Sequence, residues 1–419
     1  MRLLFLASTF PRYDGDHQAP FVLEQASAWK KARPDDDVSI LVPHDPKAKQ
    51  RETKNGLSVH RFVYMWPHRL QRLAYPAIVP NIRRNPLLFA LVPFFLLMEF
   101  RAALHLVKRN RIDLIYAHWV MPQGLVAYCV SKLTGTEFVL QNHSSDLVVF
   151  KYLPLVGSPL ARTLIRSANR LFCVNREQAE IALSYFADAE RNEVAAKTVV
   201  LPMGVYLEPA NFNTETLKGT MHWRYDYGLI SRLSKKKGVD LFIAALGKLA
   251  SHGKRFRAGI AGDGEDRESL QAAASGTGIE FLGFLTGKEK GAFFAETKFM
   301  IFPSVPAKGD AEGLPVALLE AMYAGKVVVA SEATNIQMLP EWEGIVSSVC
   351  LLENPADIDE FAAVLERLAK WTDEAIESTT AVTSRLIARY QWDNLILEYI
   401  AHIEGSDEVA GTSSYQESS

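Results

Sequence analysis

The segment DAEGLPVALLEAMYAG, residues 310–325, contains two glutamates whose surroundings suggest a binding site. Glu312 and Glu320 stand eight positions apart, and the residues between them are mostly apolar. Pro315 suits the first helical turn, where free N–H groups and the helix dipole attract anions. Carboxylates accept strong hydrogen bonds from sugar hydroxyls. The segment therefore predicts a ligand that carries both phosphate and hydroxyl groups, as a sugar nucleotide does.

A second segment, YGLISRLSKKKGVDLF at residues 227–242, supplies positive charge. A strand is predicted to end at Ser231, and Arg232 and three lysines ending at Lys237 follow before a helix. Arginine can hold a diphosphate with its planar fork, and lysine can hold it as a mobile point charge. The segment alone also fits a solvated face. Similarly, Glu320 alone fits a buried acid paired with Lys or Arg, and Glu312 fits a solvated loop acid.

The elements that must position these residues follow an α/β pattern. Short apolar runs rich in β-branched residues alternate with helical patterns, which predicts parallel sheets covered on both faces. The alternation stops at a polar segment, 206–222, and then resumes. We therefore predict two doubly wound domains, 1–205 and 206–389, and a disordered tail at 405–419. Two such domains in series predict a cleft between facing loops, where the carboxyl ends of strands collect binding residues.

The composition excludes several classes of protein. The chain has 419 residues, 48% of them hydrophobic, and a formal net charge of −2. These values fit a globular protein and argue against a general nucleic-acid binder. The well-separated Cys129, Cys173 and Cys350 predict reduced thiols in a cytoplasmic protein and no metal site. A dehydrogenase would need GxGxxG after the first strand, and ASTFPRYDGDHQ does not supply it.

The combined motifs closely resemble those of a known family. SRLSKKKGVD and PSVPAKGDAEGLPVALLEAMYAG match the Arg-Leu-x3-Lys-Gly and Glu-x7-Glu patterns of the retaining GT-B glycosyltransferases of family 4. DLIYAHWVMPQGLVA and NHSSD resemble motifs in the family's first domain, so the resemblance covers nearly the whole chain. It implies two Rossmann-like domains facing each other across a cleft. It also implies that a closing helix, about 390–404, returns to the first domain.

The resemblance further implies an activity. The expected reaction is metal-independent transfer of a hexose-type sugar, with retention, from a nucleotide sugar such as a UDP-, GDP- or ADP-sugar. The acceptor is a glycan or a lipid-linked glycan bound by the first domain, and no resident cofactor is implied. A catalytically degenerate binding protein or scaffold with the same fold is the alternative. A sugar-nucleotide 2-epimerase shares the two-domain build but lacks the paired Arg-x4-Lys and Glu-x7-Glu motifs.

Carried over by position, the resemblance assigns roles to individual residues. Arg232 and Lys237 hold the diphosphate and stabilise charge on the leaving nucleotide, while Glu320 binds the ribose. The complete donor-binding set is Gly15, Asp16, Arg232, Lys237, Gly313, Leu314 and Glu320. The catalytic set is His143, Glu312, Arg232 and Lys237. His118, which follows a predicted strand, fits either the cleft or a structural position.

One stretch of the first domain has a composition suited to membranes. Residues 61–111 combine eleven Lys, Arg or His residues with many aromatic and aliphatic side chains. A basic amphipathic surface with Trp66, Phe94 and Phe95 could dock on the cytoplasmic face of a membrane and draw in a lipid-linked acceptor. The alternative is a core helix with a solvated basic rim. The longest apolar run, 86–98, is shorter than the ~20 residues of a spanning helix.

Overall fold

The structure, a computed structural model, describes residues 1–16, 20–143, 146–206, 223–306 and 314–405. The chain forms two units. Unit 1 comprises Met1–Gly204 together with Trp392–Ser419, and unit 2 comprises Val205–Gln391. The tail predicted at 405–419 lies outside the described residues from position 406 onward.

Unit 1 is built on an eight-stranded sheet in the order β3-β4-β2-β1-β5-β6-β7-β8. Only the β3–β4 pair is antiparallel. The central strands are continuous apolar runs because helices cover both of their faces. The strands are β1 (Arg2–Leu6), β2 (Asp37–Pro43), β3 (Arg51–Lys54), β4 (Leu57–Phe62), β5 (Leu114–His118), β6 (Glu137–Gln141), β7 (Leu171–Cys173) and β8 (Thr198–Val200).

Unit 2 is built on a six-stranded, wholly parallel sheet in the order β11-β10-β9-β12-β13-β14. Counted within the unit, this is the order 3-2-1-4-5-6 of a doubly wound dinucleotide-binding sheet. Its strands are β9 (Tyr225–Ile230), β10 (Ala258–Ala261), β11 (Ile279–Gly283), β12 (Thr297–Phe302), β13 (Val327–Ser331) and β14 (Val349–Leu352).

Helices connect the strands in both units. The helices in the first segment of unit 1, before unit 2 begins, are α1 (Pro20–Ala32), α2 (Ile78–Arg84), α3 (Val92–Asn110), α4 (Gln123–Thr134), α5 (Gly157–Ser167), α6 (Arg176–Leu183) and α7 (Asp188–Ala195). The later ones are α8 (Val239–Ser251), α9 (Arg267–Ala273), α10 (Gly287–Glu296), α11 (Val316–Tyr323), α12 (Trp342–Ile345), α13 (Ile358–Ala369), α14 (Asp373–Ile387) and α15 (Trp392–Glu404).

The last helix, α15, belongs to unit 1 although it follows unit 2 in the chain. It packs on α1, and its residues Trp392 and Tyr399 are buried. The Tyr399 hydroxyl donates to the carbonyl of Leu201, and a Cβ on Gly204 would lie 2.5 Å from the Trp392 ring. A glycine is therefore needed at position 204, which is the last residue of the first of the two segments of unit 1.

The helical segment Pro86–Asn110 is longer than the apolar run 86–98. Residues 86–91 form a 3-10 turn that leads directly into α3, and α3 continues past Glu99, whose side chain is buried. By length and composition this segment could cross a membrane, and only 17% of its most apolar stretch is buried. Phe95, predicted to lie on an exposed docking surface, is instead buried in the core of unit 1.

Candidate functional site

In unit 2, the sheet order itself marks where a ligand binds. Strands β9 and β12 are neighbours, but the connections that follow them run to opposite sides of the sheet. A crevice opens at the carboxyl ends of two such strands, and doubly wound proteins bind their ligands there. Arg232 and Lys237 follow β9, and α11 with Glu320 follows β12. The predicted donor residues of unit 2 therefore come from the two segments that flank this crevice.

The loop after β9 is pressed against the loop after β12. Lys235–Lys237 form a 3-10 turn that ends at Gly238, whose φ is +63°. A Cβ at Gly238 would lie 2.0 Å from the carbonyl oxygen of Pro303. Close by, the N–H of Val305 donates to the carbonyl of Lys236 at 2.8 Å. The two loops thus fix each other's backbone, which positions the turn that carries Lys237.

Gly238→Ala should destabilise unit 2. A left-handed φ costs about 1–2 kcal/mol for an alanine, and the methyl group would also push the Pro303 backbone away. We expect a loss of roughly 2–4 kcal/mol in the free energy of unfolding, measured by urea denaturation. Gly247→Ala is the matched control because it lies inside α8 with open space around it. Equal stability of the two variants would contradict the close packing of these loops.

Arg232 lies at the exposed mouth of the crevice. Its Nη2 contacts Glu265 Oε2 at 3.0 Å, and both side chains are largely exposed. Exposed ion pairs contribute about 0–1 kcal/mol, so a diphosphate can replace Glu265 at little cost. The sequence segment IAGDGEDRESL contains Glu265, but nothing in its spacing singled that residue out. Lys237 is half-buried in the 3-10 turn.

Glu320 is a buried carboxylate, with 4% of the residue exposed. Lys290 of α10 donates to its Oε1 at 2.5 Å. Burial raises the pKa of Glu320, and the charge and hydrogen bond of Lys290 oppose that rise. This is the Lys-paired arrangement that the sequence left open, although Lys290 itself was not predicted. Since the ammonium group favours the ionised form, Glu320 keeps an acceptor that ribose hydroxyls can use.

The remaining predicted donor residues of unit 2 are only partly described. Leu314 is half-buried and lies two positions before the first residue of α11, with Pro315 as the N-cap. Glu312 and Gly313 lie outside the described residues. Their assignment therefore stays a prediction from the sequence.

In unit 1, the carboxyl ends of β5 and β6 bring two histidines together. His118 Nδ1 and His143 Nε2 are 2.8 Å apart, so one ring nitrogen donates and the other accepts. Burial lowers the pKa of both rings, that of His143 to about 3, which keeps the pair neutral. His118 is fully buried, whereas His143 is partly exposed. His143 can therefore meet a ligand, and His118 holds it in place from behind.

Asp146 connects the loops that carry these histidines. Its carboxylate accepts the N–H of Val120 at 2.7 Å, the N–H of His143 at 3.0 Å and the side-chain amide of Asn142 at 2.7 Å. Burial raises the pKa of Asp146 to about 6, against the opposing effect of the main-chain N–H groups of Val120 and His143. The motif NHSSD was recognised in the sequence, but Asp146 was not assigned a role. The structure shows it as the residue that positions His143.

The loop after β1 contains Gly15 and Asp16, both predicted to face phosphate. Gly15 has a φ of +87° and open space around it. Asp16 accepts the main-chain N–H of Arg12 at 2.9 Å and its Nε at 2.6 Å. Asp16 thus shapes the loop and orients the Arg12 guanidinium. Arg12, which the sequence did not single out, is the cation of this loop with the chemistry to contact an anion.

The part of the chain that the structure describes contains no group of three or more His, Cys, Asp or Glu residues placed to hold a metal ion. The three cysteines are all free thiols.

Solved structures share this architecture over almost the whole chain. The sucrose-phosphate synthase from Thermosynechococcus elongatus aligns with a TM-score of 0.68 and 16% identity, covering 98% of this chain and 100% of that one. HepE from Anabaena, in complex with UDP and glucose, aligns with a TM-score of 0.62 and 19% identity, covering 97% and 100%. The two parallel α/β units are those of the GT-B fold, which confirms the predicted fold class.

Sequence comparison identifies the family. Residues 224–370 match the family described as Glycosyl transferases group 1, and residues 18–196 match the Glycosyl transferase 4-like domain. The chain belongs to this family of glycosyltransferases, as the motifs predicted. The amylovoran biosynthesis glycosyltransferase AmsK of Erwinia amylovora is 32% identical over 197 residues. That match covers 46% of this chain and 47% of AmsK, about half of each.

Proposed function

We propose that this glycosyltransferase moves a hexose-type sugar from a nucleotide-sugar donor to a glycan or lipid-linked acceptor, with retention and without a metal. One observation carries the proposal. The cations Arg232 and Lys237 and the buried carboxylate Glu320 come from the two segments that flank the crevice of a 3-2-1-4-5-6 parallel sheet. This combination suits a ligand with a diphosphate and a ribose.

The reaction places charge where these cations lie. As the bond between the sugar carbon and the diphosphate oxygen breaks, negative charge grows on the leaving nucleotide, and Arg232 and Lys237 stabilise it. The acceptor hydroxyl attacks from the same face, and its proton passes to a phosphate oxygen of the donor. The new glycosidic bond then has the configuration of the old one. His143, neutral and partly exposed, is the unit 1 candidate for a hydrogen bond to the sugar.

The known relatives suggest where to begin with substrates. HepE has been solved with UDP and glucose, so a UDP-hexose is the first donor to test. AmsK is named for amylovoran biosynthesis, which favours a growing glycan as the acceptor. Separate free thiols suit a reducing compartment and support a cytoplasmic location.

A thermal-shift experiment tests the donor site. We expect one of UDP, GDP or ADP to raise the melting temperature, with and without EDTA, because a ligand of the native state stabilises it by mass action. Arg232→Ala should abolish most of that shift. Arg257→Ala is the matched control because Arg257 is equally exposed and pairs with Asp226 at the opposite, amino-terminal edge of the sheet.

Three outcomes would count against the proposal. A folded protein that responds to no nucleotide would favour the scaffold alternative. A shift that disappears with EDTA would overturn metal independence. If transfer occurs, the anomeric proton coupling of the product, followed by NMR from the first minutes, reports the configuration, and inversion would exclude the retaining mechanism.

A further inference from the structure

The exposed face of residues 66–97 in unit 1, called here the apolar face, has an unusual charge pattern. The sequence contains no Asp or Glu between Glu52 and Glu99. Four arginines in that interval are exposed, at positions 69, 72, 83 and 84. The segment itself therefore contributes positive charge and no carboxylate to this surface. It therefore favours an anionic partner.

The same face exposes large apolar side chains. Leu87 is 83% exposed, Phe89 62% and Trp66 79%. Phe94 and Leu97, which follow in α3, are each more than half exposed. Single exposed apolar residues are common on proteins, but a contiguous group marks an interaction site. Helix α2 contacts the 3-10 turn at 86–91, and that turn leads directly into α3. Leu87, Phe89, Phe94 and Leu97 therefore lie on one continuous helical segment and are here called the patch.

Helix α3 shows which way this patch points. Its buried residues Phe95, Glu99 and Ala103 recur every four positions and face the core of unit 1. The opposite side exposes Phe94 and Leu97 and then, one to three turns after Leu97, exposes the basic side chains Arg101, His105 and Lys108. A helix with one side in a protein core cannot be surrounded by lipid. The segment Pro86–Asn110 therefore lies along a surface rather than crossing a bilayer.

The patch is held rigidly before any partner arrives. Asn81 of α2 is buried, and its side-chain amide donates to the carbonyl of Leu73 at 2.9 Å and to that of Tyr75 at 2.7 Å. These bonds tie α2 to the loop that carries the arginines at positions 69 and 72. Since the loop and the helix are already ordered by these bonds, binding a partner does not carry the entropic cost of ordering them.

We propose that the apolar face docks on the surface of a bilayer that contains anionic lipid. Its aromatic and aliphatic side chains enter the boundary between headgroups and acyl chains, and its arginines contact lipid phosphates. A second copy of this chain fits less well, because a two-fold pair would set the same acid-free segment against itself. Docking would place unit 1 beside a lipid-linked acceptor, and that consequence rests on the proposed transferase activity.

Co-sedimentation with vesicles tests the proposal on the full-length chain. We expect binding to vesicles of phosphatidylcholine with 30% phosphatidylglycerol, weaker binding in 0.5 M NaCl because salt screens the charges, and little binding to phosphatidylcholine alone. Leu87→Ser with Phe89→Ser should weaken binding roughly tenfold or more. Arg83→Gln with Arg84→Gln should weaken it by about fivefold for each arginine removed.

Matched controls distinguish binding by this surface from non-specific adsorption of exposed apolar side chains to vesicles. Leu397→Ser with Val382→Ser removes two apolar side chains, each about half exposed, from other helices and should leave binding unchanged. Circular dichroism checks that each variant is folded. The proposal is overturned if neither vesicle binds, if both bind equally, or if the Leu87/Phe89 variant loses a dimer instead. Because no nucleotide is present, these outcomes are independent of the donor thermal shift.

Discussion

Glu320→Gln should weaken binding of the nucleoside diphosphate by about 30- to 100-fold. A hydrogen bond to a charged group contributes about 1.5–3 kcal/mol, and the buried carboxylate can accept one from each ribose hydroxyl. Glutamine keeps the shape but loses the charge and offers one acceptor oxygen. Titration calorimetry with the nucleotide that gives the thermal shift measures the change. Glu312→Gln should instead slow transfer with little effect on binding, and negligible effects from both variants would defeat the site assignment.

The role of Lys290 can be separated from that of Glu320 through pH. Lys290→Met should raise the pKa of Glu320 further, because burial then acts without the opposing ammonium charge. A protonated carboxyl is a poor acceptor for ribose, so affinity falls as pH drops through that raised pKa. We expect near-normal binding at pH 8.5 and a loss at pH 5.5 that exceeds the loss in the unmodified protein. Equal weakening at every pH would show that Lys290 contacts the nucleotide directly.

Glu99→Gln should make the protein more stable at alkaline pH. Burial in the core of unit 1 raises the pKa of Glu99 to about 8, and Gln123 is the side chain that donates to it, at 3.2 Å. The folded state therefore keeps a proton that the unfolded state releases near pH 4.5. Stability from this group is complete below that pH and is lost as pH rises through about 8. At about 1.4 kcal/mol per pKa unit the loss amounts to a few kcal/mol.

The measurement compares urea unfolding of the two proteins from pH 5 to pH 9. The difference in free energy of unfolding should be small at pH 5 and grow to a few kcal/mol in favour of Glu99→Gln at pH 9. Taking the difference between variants cancels the other titrating groups. Glu137→Gln, an exposed glutamate at the start of β6, is the control and should show no such trend. A constant difference across this range would mean that Glu99 does not titrate there.

Sequence reasoning could predict the strand end, the cations and the helix start of the proposed unit 2 site because these signals are local. The predicted end of the strand at Ser231, the cations that follow it, and the helix that begins near Pro315 all depend on short stretches of chain. A parallel sheet then brings such stretches to one edge, whatever their separation in sequence. The fold class followed from the same alternation of strands and helices.

The partners of these residues could not be predicted in the same way. Lys290 meets Glu320 from another helix, and Glu265 meets Arg232 from the loop after the next strand. Only tertiary packing decides which of many charged residues face each other. The apolar face was difficult to predict for another reason: the first two turns of α3, residues 92–98, are apolar on every side, so their periodicity does not show which side is buried. Phe95 and Phe94 are adjacent in sequence but have opposite environments.

The position of α15 has a consequence for the newly made chain. Trp392 and Tyr399 complete the hydrophobic core of unit 1, yet the ribosome must first make all of unit 2, Val205–Gln391. At about 5–20 residues per second this takes roughly 10–40 s. During that interval the side of α1 that receives α15 has no native cover. A chaperone that shields apolar surface would therefore bind the uncovered side of α1 in unit 1. Unit 2 folds from a continuous stretch of sequence and has no such waiting period.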